Sequence, residues 1–163
     1  MQTIESLIVS QEIHSDKQKI LVLGASSGIA EEVIKEQISR ARKTGQNLEL
    51  FLCSRTISKI ASTKKLAKDA GFTVYEKTVD AFSASSKTAL LLSLEDLSWY
   101  PDIIILAWGE LVRSDSSCEE KVIDRMLRLN HVLSISWLVD LQKMLARHFK
   151  SSHFVVLGSI AGD

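Results

Sequence analysis

The sequence predicts an α/β domain organised as a doubly wound parallel sheet, and three observations carry that expectation. Two hydrophobic periods alternate along the chain. Short apolar, β-rich runs at Ile20 to Leu23, Leu48 to Cys53, Phe72 to Val79, Ile103 to Ala107 and Phe154 to Leu157 are separated by stretches with helical spacing. Strands spaced this way are joined by crossover helices, which makes them parallel and covers both sheet faces. The glycines add the third observation: Gly24, Gly28, Gly109, Gly158 and Gly162 all gather where predicted strands end. In a doubly wound sheet that edge binds ligands.

Each element has its own signal. The first 18 residues mix acidic and polar side chains with only a short apolar patch, without the basic start and long apolar stretch of a signal peptide. They read as an arm, residues 1–18, ahead of one domain over residues 19–163. KILVLG and DIIILAWG read as central strands. Gly45 and Gly71 each follow a lysine- or arginine-bearing helical segment and precede a strand, as expected of left-handed residues that end helices. Ser117 to Glu120 reads as S-x-x-E, a capping box that opens a long helix to about Phe149. Val132, Leu133, Ile135, Trp137, Leu138, Val139, Leu141, Met144 and Leu145 make that helix apolar on nearly every face, so it needs burial on two sides.

Composition removes several classes of function. At 163 residues, 45% apolar and 25% charged, the chain suits one globular core. Lys plus Arg and Asp plus Glu both number 20, so no basic excess argues for nucleic acid or an anionic membrane surface. Cys53 and Cys118 lie far apart without CxxC spacing, and His14, His131, His148 and His153 show no metal-ligand spacing. No metal site is expected, and a reducing, cytoplasmic setting is. No run is long enough to cross a bilayer.

The stretch ILVLGASSGIAEEVIKEQI carries the chemistry. A strand ending near Gly24 and a helix starting near Gly28 leave backbone amides and a helix N-terminus facing a common point, a hydrogen-bond-donating pocket for phosphate. A strand-to-helix turn packed with small residues is the alternative for that spacing alone. Further landmarks follow in order, and together GASSGIA, the Ser54-Arg55 pair, Val79-Asp80-Ala81, Ala107-Trp108-Gly109, Asn130 and the GSIAG turn at Gly158 to Gly162 resemble the short-chain dehydrogenase/reductase family.

That resemblance implies a Rossmann-type sheet of five strands in the order 3-2-1-4-5, incomplete relative to a whole family domain, with a nicotinamide cofactor along its carboxyl edge. Gly24, Ala25, Ser26, Ser27, Gly28 and Ile29 would form the cofactor loop. Ser54 and Arg55 stand where family members that use NAD carry an acidic residue. An arginine there pairs with the extra phosphate of NADP, so NADP is preferred over NAD; an exposed loop arginine is the alternative. Asp80 and Ala81 would lie beside the adenine, with capping of the next helix as the other role open to Asp80. Ala107 and Gly109 occupy the family's Asn-Ala-Gly position, with Ala107 in place of its asparagine and Trp108 serving as lid, substrate wall or core. Asn130 matches the active-site asparagine, or else is a buried amide bonded to local backbone. Ser159 aligns with the serine that bonds the substrate carbonyl or hydroxyl.

The family's proton donor is a tyrosine in a Tyr-x-x-x-Lys pair downstream of that serine, and the sequence ends at Asp163. Tyr75 is followed four positions on by Val79 and Tyr100 by Ile104, so neither supplies the pair. The resemblance therefore implies an oxidoreductase acting on a small-molecule carbonyl or secondary alcohol, inactive as this isolated stretch. A non-catalytic NADP(H)-binding module and a remnant that binds nothing are the other readings. The long helix, residues 117–149, would also pack against its mate in a second subunit. ILAWGEL and VVLGSIAGD bear a fainter resemblance to reductases acting on polyprenyl-phosphoryl keto-pentoses.

Overall fold

The computed structural model describes residues 17–110 and 119–157. Five strands form one parallel sheet: β1 (Lys17–Leu23), β2 (Asn47–Ser54), β3 (Thr73–Thr78), β4 (Ile103–Leu106) and β5 (His153–Val156), in the order β3-β2-β1-β4-β5. The predicted order and parallel pairing hold throughout. β1 sits between β2 and β4, with Ile20 beside both Leu50 and Ile103, so KILVLG and DIIILAWG are central as expected. β1 reaches back to Lys17, which puts Lys17 and Gln18 in the sheet; residues 1–16 of the predicted arm lie outside the described residues.

Alternation along each strand sends side chains to two cores. On one face, Ile20, Val22, Leu48, Leu50 and Leu52 pack under α1 (Gly28–Thr44) and α2 (Ala61–Asp69), which contribute Ile34, Ile38, Ala41 and Ala67. On the other, Leu21, Leu23, Phe51, Ile104 and Leu106 pack under α3 (Ala84–Asp96) and α5 (Ser134–Arg147), which contribute Leu90, Leu94, Trp137, Leu141 and Met144. The sheet is thus wound on both sides. Gly45 (φ 71°) and Gly71 (φ 85°) end helices in the left-handed region, and the Gly45 N–H closes α1 onto the Ala41 carbonyl.

The long helix differs from its prediction in three respects. Its first segment, α4 (Glu120–Leu127), has Glu119 as N-cap, whose carbonyl accepts from Val122 (2.8 Å) and Ile123; the predicted cap Ser117 lies outside the described residues. A π-helical turn, Arg128–Leu133, then separates α4 from α5, and Ser134 Oγ reaches five residues back to the Leu129 carbonyl at 2.9 Å. Among the described residues its burial is on one side. Trp137, Leu141, Met144 and Leu145 face the sheet, while Val132, Ile135 and Val139 are 61%, 62% and 40% exposed and form one stripe.

Candidate functional site

The turn between β1 and α1 is built by hydrogen bonds that leave selected donors unused. Gly24 and Ala25 N–H both donate to the Cys53 carbonyl (3.0 and 2.9 Å), and Ser27 N–H donates to the Gly24 carbonyl. Ser27 Oγ caps α1 by accepting from Ala30 N–H at 3.1 Å. The amides of Ser26, Gly28 and Ile29 find no acceptor among the described residues. These orphan donors at a helix N-terminus suit an anion. Ala25 is the loop member turned away: its side chain lies in the core and its N–H is committed.

The two loop glycines serve different purposes. Gly24 has φ 85°, and a Cβ there would stand 2.6 Å from the Trp108 backbone nitrogen and 2.8 Å from the Ala107 carbonyl carbon. Only glycine lets β1 turn beneath the exit of β4. Gly28 has no positive φ and nothing within 4 Å of a Cβ, so the protein itself does not require it. Its bare backbone is open to close approach by a ligand. Gly28→Ala should leave thermal stability unchanged or raise it by about 0.5 kcal/mol, while weakening NADPH binding about tenfold. Titration and a melting curve on the same variant check this, and unaltered affinity would count against ligand contact at this point.

A cleft of about 240 Å³ opens over the carboxyl edge beside this turn, lined by Gly24, Ser26, Ser27, Ser54, Arg55, Asp80, Ala81, Ala107 and Gly109 among the predicted residues. Lys59, Phe82 and Leu129 line it too, and the sequence reading missed them. Ser54, 2% exposed, donates to Ser26 Oγ at 2.9 Å and accepts from Thr56 N–H, tying the end of β2 to the loop. Asp80 does not cap α3; Ser83 does, through Ser86 N–H. Asp80 Oδ1 instead accepts from Phe82 N–H (3.0 Å) and holds the wall of the cleft.

A second cleft, about 410 Å³, continues past Ser27, Ala107, Trp108 and Gly109, which line both. Its walls are largely apolar, with Ile29, Leu106, Val156 and Leu157, and its polar groups are Glu110, Asn130, His131 and Ser134. Trp108 is both wall and core edge: its ring packs edge-on to Trp137 (5.1 Å) and its Nε1 donates to Ser134 Oγ. Asn130, in the π-helical turn, accepts from Glu110 N–H (3.0 Å) and donates to the Glu110 carbonyl (2.9 Å). Its amide is bonded to backbone, but to that of the β4 exit rather than to its own helix. Where the usual asparagine is replaced by Ala107, the strand end is held by Ala107 N–H on the Leu23 carbonyl.

Glu110 also holds Arg125 through both carboxylate oxygens, each at 2.9 Å, and that guanidinium lies over the Phe82 ring at 4.4 Å. The pairing with Arg125, helped by the charge of Arg55, keeps the Glu110 carboxyl below the ordinary carboxylate range. Ser159 lies outside the described residues. Neither tyrosine enters the clefts: Tyr75 stacks on Phe51 and Tyr100 on His148. Cys53 is buried, and its thiol is pushed far up by desolvation. No group of metal ligands occurs among the described residues.

No protein-family model and no curated protein matches this sequence. Solved structures do match. The F189W variant of actinorhodin polyketide ketoreductase, solved with NADPH, is 22% identical with a TM-score of 0.70, covering 88% of this chain and 54% of its own. A short-chain dehydrogenase/reductase from Mycobacterium marinum gives a TM-score of 0.75 at 14% identity, over 89% of this chain and 57% of its own. An NADH-dependent reductase, A1-R′, complexed with NAD gives 0.66 at 18% identity, over 89% and 60%. The chain thus spans little more than half the length of these structures. Over that span it has the fold of the short-chain dehydrogenases/reductases.

Proposed function

We propose that the chain forms the cofactor-binding part of an NADP(H)-dependent oxidoreductase that exchanges a hydride between nicotinamide and a small-molecule carbonyl or secondary alcohol. The observation that carries this reading is the set of unbonded amides of the β1–α1 turn, Ser26 lining the first cleft and Gly28 and Ile29 following it, beside an Arg55 in that cleft that forms no salt bridge among the described residues. The amides suit a pyrophosphate, and Arg55 suits a phosphomonoester on the adenosine ribose. Asp80, Ala81, Phe82 and Leu129 bound the adenosine end. The apolar second cleft would take the nicotinamide and the reacting group, with Asn130 fixing its wall and Ser159 contacting substrate.

A nicotinamide bound there supplies the hydride; the chain's own part is to hold the dinucleotide extended along the sheet edge and to shield its reacting end with Ile29, Trp108 and Leu157. A second reading, a binding module without turnover, draws on the same unbonded amides and Arg55, which serve binding alone as well as hydride transfer. Titration with NADPH separates binding from its absence, and a carbonyl-substrate screen following NADPH absorbance separates the enzyme from the module.

The same reading pairs two copies of the chain through the Val132, Ile135 and Val139 stripe, because an apolar stripe of this kind gains by covering itself. Light scattering should report a dimer for the wild-type chain and a monomer for Ile135→Lys. A wild-type monomer across the accessible concentration range would contradict this pairing.

A further inference from the structure

Arg55 is not the only uncommitted cation of the first cleft. The 3-10 turn that follows it, Ile57–Ile60, begins with Thr56 N–H on Ser54 Oγ (3.2 Å) and is closed by Lys59 N–H on the Thr56 carbonyl (3.1 Å). Ile60, fully buried in the core, pins its far end. Lys59 is therefore carried on a short, anchored turn, and its side chain lines the cleft with Arg55, Ser54 and Ser26. Neighbouring lysines are spoken for: Lys64 pairs with Glu76 and Lys65 with Asp69. The carboxylate lining this cleft, Asp80, accepts from Phe82 N–H, and Glu110 of the adjoining cleft is engaged by Arg125 through both oxygens. Neither Lys59 nor Arg55 forms a salt bridge among the described residues, and Arg55 acts on Glu110 only through its charge.

Two unpaired cations one turn apart in one cleft exceed what a single negative charge calls for. Each phosphate of a pyrophosphate diester carries about one charge, and the orphan amides of the loop already serve it. A phosphomonoester carries about −1.5 to −2 at neutral pH and presents three acceptor oxygens. We propose that Lys59 is the second phosphate-binding residue of this cleft, and that with Arg55 it holds the phosphomonoester on the adenosine ribose, so that two cations set the choice between phosphorylated and unphosphorylated cofactor. The proposal rests on the reading of the cleft as an NADP(H) site.

The test uses the full chain and two cofactor fragments that differ only in that phosphate, 2′,5′-ADP and 5′-AMP, titrated calorimetrically against wild type, Lys59→Met and Arg55→Met. Lys59 is exposed, so its substitution leaves the core intact. Lys59→Met should weaken 2′,5′-ADP about tenfold, the scale of one charge-assisted contact, while 5′-AMP changes less than about twofold. A wild-type preference that survives Lys59→Met and collapses in Arg55→Met would overturn the role of Lys59 and leave the NADP(H) reading standing. A wild-type chain that binds the two fragments equally would overturn both.

Discussion

Replacing Gly24 with alanine is expected to cost on the order of 3 kcal/mol of stability, from a left-handed backbone and a backbone clash together. The added methyl would press on Trp108 N at 2.6 Å and Ala107 C at 2.8 Å, both main-chain atoms of the β4 exit. No rotamer change relieves that contact. Relief would require β1 and β4 to part where Ala107 N–H bonds the Leu23 carbonyl at 2.7 Å, or the loop to leave the Cys53 carbonyl. For a domain of this size the expected fall in melting temperature is roughly 10 °C. Cofactor binding should fail with it, because the same turn presents the orphan amides. A melting curve and an NADPH titration check both; an unchanged melting temperature would mean that the close approach of Gly24 to the β4 exit is absent in solution.

The second large effect concerns charge rather than shape. Arg55→Asp should weaken NADPH about 100-fold, or about 3 kcal/mol, since a charge-assisted contact is lost and a repulsion gained. NADH affinity should hold or rise, because a carboxylate at the end of β2 accepts from ribose hydroxyls. Arg55 is exposed, so the substitution leaves the fold intact. The new carboxylate also sits near Glu110, whose charge already responds to Arg55; Arg55→Met controls for that effect. An equal loss for both cofactors would assign Arg55 a structural role and remove the phosphate from the account.

Much of this fold was legible because its determinants are local. Continuous apolar runs such as ILVL and IIIL mark strands buried on both faces, and Gly45 and Gly71 mark helix ends whose left-handed backbone favours glycine. The candidate site was legible at the loop and at Arg55 for the same reason: each sits at a fixed offset from a strand end. What escaped depended on distant partners. Lys59 enters the cleft because Ile60 anchors its turn in the core, which no spacing announces. Arg125 meets Glu110 across 15 residues of chain and Phe82 across the cleft mouth. The π-helical turn at Arg128–Leu133 inserts its extra residue where apolar side chains occur on every face, so no break in period betrays it.

The second apolar side of α5 is a different case: an all-round apolar helix predicts burial on two sides, and among the described residues only the Trp137 side is covered, which leaves the other for a second subunit as the resemblance implied. Trp137 also reaches the site from that core, its Nε1 donating to the Ala81 carbonyl at 3.1 Å, so the packing of α5 supports the cleft wall at Ala81.

If the carboxyl edge of this sheet holds NADP(H), calorimetric titration of the full wild-type chain with NADPH, followed by NADH under identical conditions, should give saturable binding of one NADPH per chain and distinctly weaker binding of NADH. Absence of saturable binding for both cofactors would overturn the cofactor site.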